Sequence, residues 1–491
     1  MKLYVLFATA SLSLLPAQVG LFERSADVGR PGKVGRSSLQ SGAYRITASG
    51  ANIWAGRDDF HLLFKKVRGD VELSTATAWE TTGGHEHKKA GLMLRATMDA
   101  DSPHASVMVH ADGLVSLQYR KEKGGPTQEV KAPVKGARRI LLARYGDVVS
   151  MEVDSGSGFQ PAGALSVALP EELLAGLAVC SHDDTNEQTA RFSEVSMREW
   201  GVVADPKQRV LESTLEIVNV ETGVRRVVHR ARQHFEAPNW TPDGKTLVYN
   251  GGGKIWTIPV TGGTPTLLPT GDVRVNNDHG LTFDGRQLII SGSLPKSQSQ
   301  IFVLPFPAGG PLRLLTPKAP SYWHGVSPDG RTIVYCASRD SEYDIYSMPM
   351  SGGEEKRLTT EKGLDDGPEY SPDGQWIYFN SVRSGTMRIW RMRPDGSAPE
   401  MVSKGPASAD WFAHPSPDGK QIAYISYAPD VEGHPANKDV VLRVASEDGS
   451  NPKVMVTLFG GQGTMNVPSW SPDSREFAFV SYRLTPPAAG Q

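Results

Sequence analysis

A chain of 491 residues exceeds what one hydrophobic core organises, so two or three domains are expected. Its 39% hydrophobic content, with 51 Gly and 35 Pro, fits a turn-rich, mostly β protein. A formal net charge of −2 gives no electrostatic reason to expect nucleic acid or an anionic membrane as a partner.

In chain order, residues 1–17 place one basic residue, Lys2, before an apolar run ending at Pro16-Ala17. This is the pattern of a secretory signal peptide, with cleavage expected after Ala17 and export to the periplasm or exterior. No other stretch approaches the roughly 20 apolar residues that span a bilayer. Residues 18–41 are rich in Gly, Arg and Ser and read as a flexible leader. Residues 42–200 alternate apolar and polar positions in short runs, such as Phe60–Phe64, Ala90–Arg95, Val115–Tyr119 and Val148–Val153, with one candidate helical piece at Glu171–Leu174. Many short strands of this kind point to a two-sheet sandwich or jelly roll. The only cysteines, Cys180 and Cys336, each fall in an apolar run and read as separately buried thiols.

Within this segment, Trp54-x3-Asp58-Asp59-Phe60-His61, then Ala90-Gly-Leu-Met-Leu-Arg95, then Arg191-Phe-Ser-Glu-Val195 resemble the concanavalin-like lectin/glucanase sandwich. The resemblance implies a sandwich and suggests glycan contact. Residues 201–210 read as a linker.

Residues 211–485 carry an internal repeat. T-P-D-G at Thr241, T-F-D-G at Thr282, S-P-D-G at Ser327, Ser371 and Ser416, and S-P-D-S at Ser471 place six turn aspartates at intervals of 41, 45, 44, 45 and 55 residues. Pro fixes φ at the first corner, Asp accepts from backbone N–H groups two residues on, and Gly admits positive φ. Alternating runs such as Thr332-Ile-Val-Tyr335 follow each turn, and this period is that of propeller blades. The array opens on an outer half-blade, Ser213–Val228, and ends on an inner one, Val467–Ser481. Pairing of the two halves would close six blades and leave no sheet edge. Residues 486–491 are a tail. The motif P-x-W-[ST]-P-D-[GS] at Pro238–Gly244 and Pro468–Ser474, with Gly-Gly hairpins at Gly262, Gly309 and Gly352, resembles the TolB-type WD-like propeller family. That resemblance implies fold more than function, and the α/β domain of the Tol-complex protein is replaced here by the sandwich-like segment.

In such a blade the residues before the innermost strand ring the mouth of the central channel. His279 and His324 stand five positions before their turn aspartates, and His414 stands one position later in its own repeat. With Glu236, Asp278, Trp323, Asp366 and Trp411 they form the candidate ligand-binding rim. Three converging imidazoles, His279, His324 and His414, with a carboxylate could hold a divalent metal. Two functions follow: a binding protein that holds a glycan or a partner protein at the rim, or a metal-assisted lyase or hydrolase acting on carbohydrate. Gly84-His85-Glu86-His87 reads as a solvated hairpin, and His182-Asp183-Asp184 as a loop with oxygen ligands suited to Ca²⁺. A closed propeller has no edge to exchange, so a monomer is expected.

Overall fold

The computed structural model describes residues 18–405 and 407–487, and the segment expected to be a signal peptide, residues 1–17, lies outside them. The protein is all-β, with a single 3₁₀ turn, Pro206–Gln208, among the described residues. The described chain forms two compact units: one contains the residues up to Glu129 with Gly136–Leu142 and Leu169–Gly201, the other Val130–Lys135, Ala143–Ala168 and the residues from Val202 onward.

In the first unit an antiparallel sheet runs through Arg24–Val28, Arg57–Arg68, Glu172–Cys180, Lys89–Arg95, His104–His110 and Leu114–Arg120. A second runs through Asp70–Trp79, Asp183–Gly201, Ala43–Gly50 and Arg36–Gln40. Two expectations are corrected here. The Gly- and Arg-rich leader contains the strands Arg24–Val28 and Arg36–Gln40, both at sheet ends. An end strand needs one bonded neighbour and one buried face, and Phe22 and Val28, both fully buried, supply the apolar anchor that a polar run conceals. Glu171–Leu174 is not helical. Leu173 and Leu174 begin the buried strand Glu172–Cys180, because pairing with Arg57–Arg68 on one side and Lys89–Arg95 on the other overrides helix propensity.

The second unit holds a six-bladed propeller. Five four-stranded antiparallel sheets follow one another, with innermost strands Phe235–Trp240, Arg274–Leu281, Ser321–Val326, Asp365–Tyr370 and Ala409–Pro415. In the sixth sheet Val210–Asn219 lies between Arg225–Ala231 and Glu476–Thr485, paired with the latter from Val210 opposite Thr485 to Asn219 opposite Glu476.

Each turn repeats one hydrogen-bond set. The Ser or Thr hydroxyl donates to the turn Asp at 2.6–2.7 Å, and the same carboxylate accepts the N–H two residues on, as with Ser371 and Gln375 on Asp373. The fourth residue sits at positive φ every time, at 69° for Gly374, and Ser474 takes 62° in place of glycine. These bonds favour the charged carboxyl and hold Asp373 below the ordinary aspartate range. A group depressed in the folded state stabilises above its unfolded pKa and loses that contribution as pH falls through the folded value. Asp373→Ala is therefore expected to cost about 1 kcal/mol at pH 7 in urea denaturation, and less as the pH is lowered below 4.

Candidate functional site

The innermost strands do not run regularly into the channel. Each of the five four-stranded blades has a ladder irregularity near its start, between Glu236 and Asn239, Val275 and His279, Trp323 and Gly325, Asp366 and Glu369, and Trp411 and His414. Ala237, Gly367 and Phe412, all six positions before their turn aspartates, take φ of 57°, 60° and 52°. A bulge turns the following side chains to the other face, so residues at equal counts from the turn do not share a direction.

This separates the three expected metal ligands. In the third blade His324 is the residue outside the ladder, whereas in the second His279 is ladder-paired with Ile290 and Asn276, Asn277 and Asp278 are left out. Asp278 and His324 therefore meet, and His279 does not join them. His279 is buried with both ring nitrogens lacking a hydrogen-bond partner among the described residues, and burial depresses its basicity to about 3. His414 pairs through Nδ1 with Glu369 at 2.6 Å, and Glu369 faces a different cavity on the side of the Pro-Asp-Gly turns. Among the described residues no three His, Cys, Asp or Glu side chains stand as a group able to hold a metal ion. The expected trio is corrected to one histidine between carboxylates.

His324 Nε2 lies 3.3 Å from Asp366 Oδ1 and 3.9 Å from Asp278 Oδ1. His434 Nε2 approaches the other Asp366 oxygen at 3.8 Å, and the Gly367 N–H donates to Oδ1 at 2.7 Å. The Phe412 ring stacks 5.8 Å from His324. These groups, with Tyr322, Tyr343 and Asn466, line a cavity of about 420 Å³. Burial opposes charge on His324, but Asp278 and Asp366 outweigh it and raise its pKa. Burial likewise works against Asp366, yet the His324 hydrogen bond and charge bring it down to about 2. Asp278 is the surplus carboxyl, pushed up to about 6 by burial and by the charge of Asp366.

Glu236 lines an adjoining cleft of about 720 Å³ with His234, Trp256 and Arg274, and Asn276 borders both spaces. Burial and the nearby Asp278 push its carboxyl up to about 8. A carboxyl raised in the folded state contributes its stability in full below its unfolded pKa and loses it as pH rises through the folded value. Stability should therefore fall between pH 5 and pH 9. In Glu236→Gln that fall is expected to be smaller, as read from urea midpoints at the two pH values.

Trp323 and Trp411 are each only 1% exposed and belong to the packed core. Trp411 lies edge-on to His434 at 4.4 Å, so it supports the cavity without forming its wall. In the other unit Asp183 accepts from Thr185 and Asn186 and closes its own turn. His85, expected in a solvated hairpin, packs its ring 4.0 Å from that of His182.

Five cavity residues were not singled out from sequence: Tyr343, Leu364, His434, Asn466 and Gln462. His434 and Gln462 had a visible signal. The last repeat interval is 55 residues against 41–45 elsewhere, and the surplus includes the long connection between Gln421–Tyr427 and Lys438–Ser446 that carries His434.

Six sheets of one repeat around a polar mouth define a β-propeller of the TolB type. The TolB beta propeller domain model matches residues 315–434. An uncharacterised protein of Agrobacterium fabrum, Atu1656, is 48% identical over 274 residues, which is 55% of this chain and 93% of that one. The chain belongs to the same family. A solved structure from Agrobacterium tumefaciens, provisionally named TolB, is also 48% identical, with a TM-score of 0.54 over 56% of this chain and 99% of that one. A TolB from Acinetobacter baumannii is a more distant match, at 17% identity and a TM-score of 0.41 over 52% of this chain and 64% of that one.

Proposed function

We propose that this chain is an exported TolB-type propeller protein that holds a segment of a partner protein in the cavity around His324. The carrying observation is the cavity itself. Side chains from the second to the sixth blades, polar and aromatic together, converge on one concave space, which is the arrangement that selects a ligand. Binding is preferred to metal-assisted lysis because the imidazoles expected to share a metal point to different places. The pairing of Val210–Asn219 with Glu476–Thr485 supports reading the six blades as a ring closed by its two ends. The two large sheets before it are read as a concanavalin-like sandwich, a resemblance that suggests glycan contact.

Two experiments test this. A photo-crosslinking residue at Tyr343, which is 39% exposed and borders the cavity, should give a discrete protein adduct in the intact cell envelope, lost with His434→Ala. Absence of any adduct, with specific retention on a glycan array instead, would replace the protein partner by a glycan. For export, the mature protein is expected to begin at Gln18, by N-terminal sequencing; an intact Met1 would end that part of the reading.

A further inference from the structure

The cavity around His324 carries more acid than base. Two carboxyls, Asp278 and Asp366, meet His324, whose basicity is raised, and His434, whose basicity burial lowers, and none of the described residues lining the cavity is Lys or Arg. His324 is committed to Asp366, the nearer carboxylate, which leaves Asp278 without a full counter-charge. Asn466 supplies an independent sign. It is only 2% exposed, and its Nδ2 donates to Asn277 O at 3.4 Å and Asp278 Oδ1 at 3.3 Å. Its Oδ1, in a side chain that lines the cavity, has no hydrogen-bond partner among the described residues. A buried acceptor left empty is unfavourable, so the site gains from any donor that reaches it. Tyr322, Tyr343 and Phe412 provide aromatic walls beside these acceptors.

We infer that the cavity receives an organic cation, an ammonium head on an apolar stem, with the head between Asp278 and Asn466 Oδ1 and the stem against the aromatic rings. Carboxylate, amide oxygen and ring faces all favour a donor-rich cation over an anion or a neutral group. The same chemistry belongs to a lysine side chain of a partner and to a free alkylamine. The inference rests on reading this mouth as a binding site and adds what the bound group must be.

The test is saturation-transfer NMR on the full chain with n-butylammonium, which reproduces the lysine side chain, and 1-pentanol as its neutral counterpart. Saturable binding of the ammonium is expected, about tenfold weaker in Asp278→Asn and weaker also in Asn466→Leu, which removes the empty acceptor. Urea midpoints measured beside each affinity separate a lost contact from a lost fold. Equal competition by 1-pentanol, or affinity unchanged in both variants, would overturn the inference. A further arm compares acetyl-Gly-Lys-Gly-amide with putrescine: tighter peptide binding assigns the cation to a partner side chain, and exclusion of the peptide assigns it to a free amine. If ammonium binding fails while the Tyr343 adduct persists, this inference falls and the partner reading stands; loss of both removes the partner reading as well.

Discussion

Trp323→Ala is expected to lower the stability of the propeller by about 3–5 kcal/mol, the range for deleting a buried Trp ring. Trp323 is 1% exposed, packs in the core with Ile289, Ile301 and Tyr335, and lies so close to the second blade that a Cβ on Gly280 would sit 2.2 Å from its ring. Glycine at that position is thus a contact requirement, and the void left by alanine could not be filled from Gly280. Urea denaturation should show the loss directly, with Trp323→Phe costing a fraction of it. A rim aromatic kept for stacking on a ligand would instead cost little in stability and much in binding. Unchanged stability in Trp323→Ala would return this residue to the list of ligand contacts.

The same residue shows how far the chain could be read unaided. The turn motif fixed the number of blades and the order of their strands, because each Asp sits in an identical hydrogen-bond set. The side on which a rim residue points was not legible, since it depends on bulges whose placement differs from blade to blade. Counting back five positions puts His279 level with His324, but the second blade leaves Asp278 out of the ladder and the third leaves His324 out. Bulges of different length and position in the second, third and fifth blades turn a supposed metal trio into an Asp–His–Asp cluster. Asp278, His324 and Asp366 were all visible as polar residues before a turn; their mutual contact was not. Asn466 was hidden for a different reason: its importance lies in an unpartnered oxygen, which no spacing reveals.

The candidate site also explains why its acids differ. Asp366 keeps its charge because His324 and the Gly367 N–H meet it, while Asp278, the more buried of the two, has His324 only at the longer distance and is raised. Pairs of carboxyls pushed apart by their surroundings are common where a fold prepares a site for a ligand. Here the raised member borders the empty acceptor of Asn466, so the costs of unpaired charge and unpaired oxygen fall at one spot.

In the other unit, Asp58→Ala is expected to cost at least the 3–5 kcal/mol typical of breaking a buried ion pair, because it strands two cations. Asp58, Arg95 and Arg120 all have fully buried side chains. Arg120 binds Asp58 through two nitrogens, at 2.7 and 2.9 Å, and Arg95 reaches the same carboxylate at 2.7 Å. Burial pushes the Asp58 carboxyl up, but the Arg120 hydrogen bond and the surrounding positive charge outweigh it and hold it below the ordinary range. Arg120 further donates to Ala55 O, Gly125 O and Thr127, so its displacement would release the loops that carry those groups. The Trp54-x3-Asp58 and Ala90–Arg95 motifs, from which glycan contact was suggested, thus meet in a closed structural cluster. Hydrogen exchange followed by mass spectrometry localises the effect. Strands Arg57–Arg68, Lys89–Arg95 and Leu114–Arg120 should lose protection in Asp58→Ala, while innermost propeller strands such as Ser321–Val326 keep theirs. Asp58→Asn, which retains oxygen and hydrogen-bonding capacity but not the charge, should fall between the two; wild-type protection in both variants would show that the three charges contribute nothing to the fold.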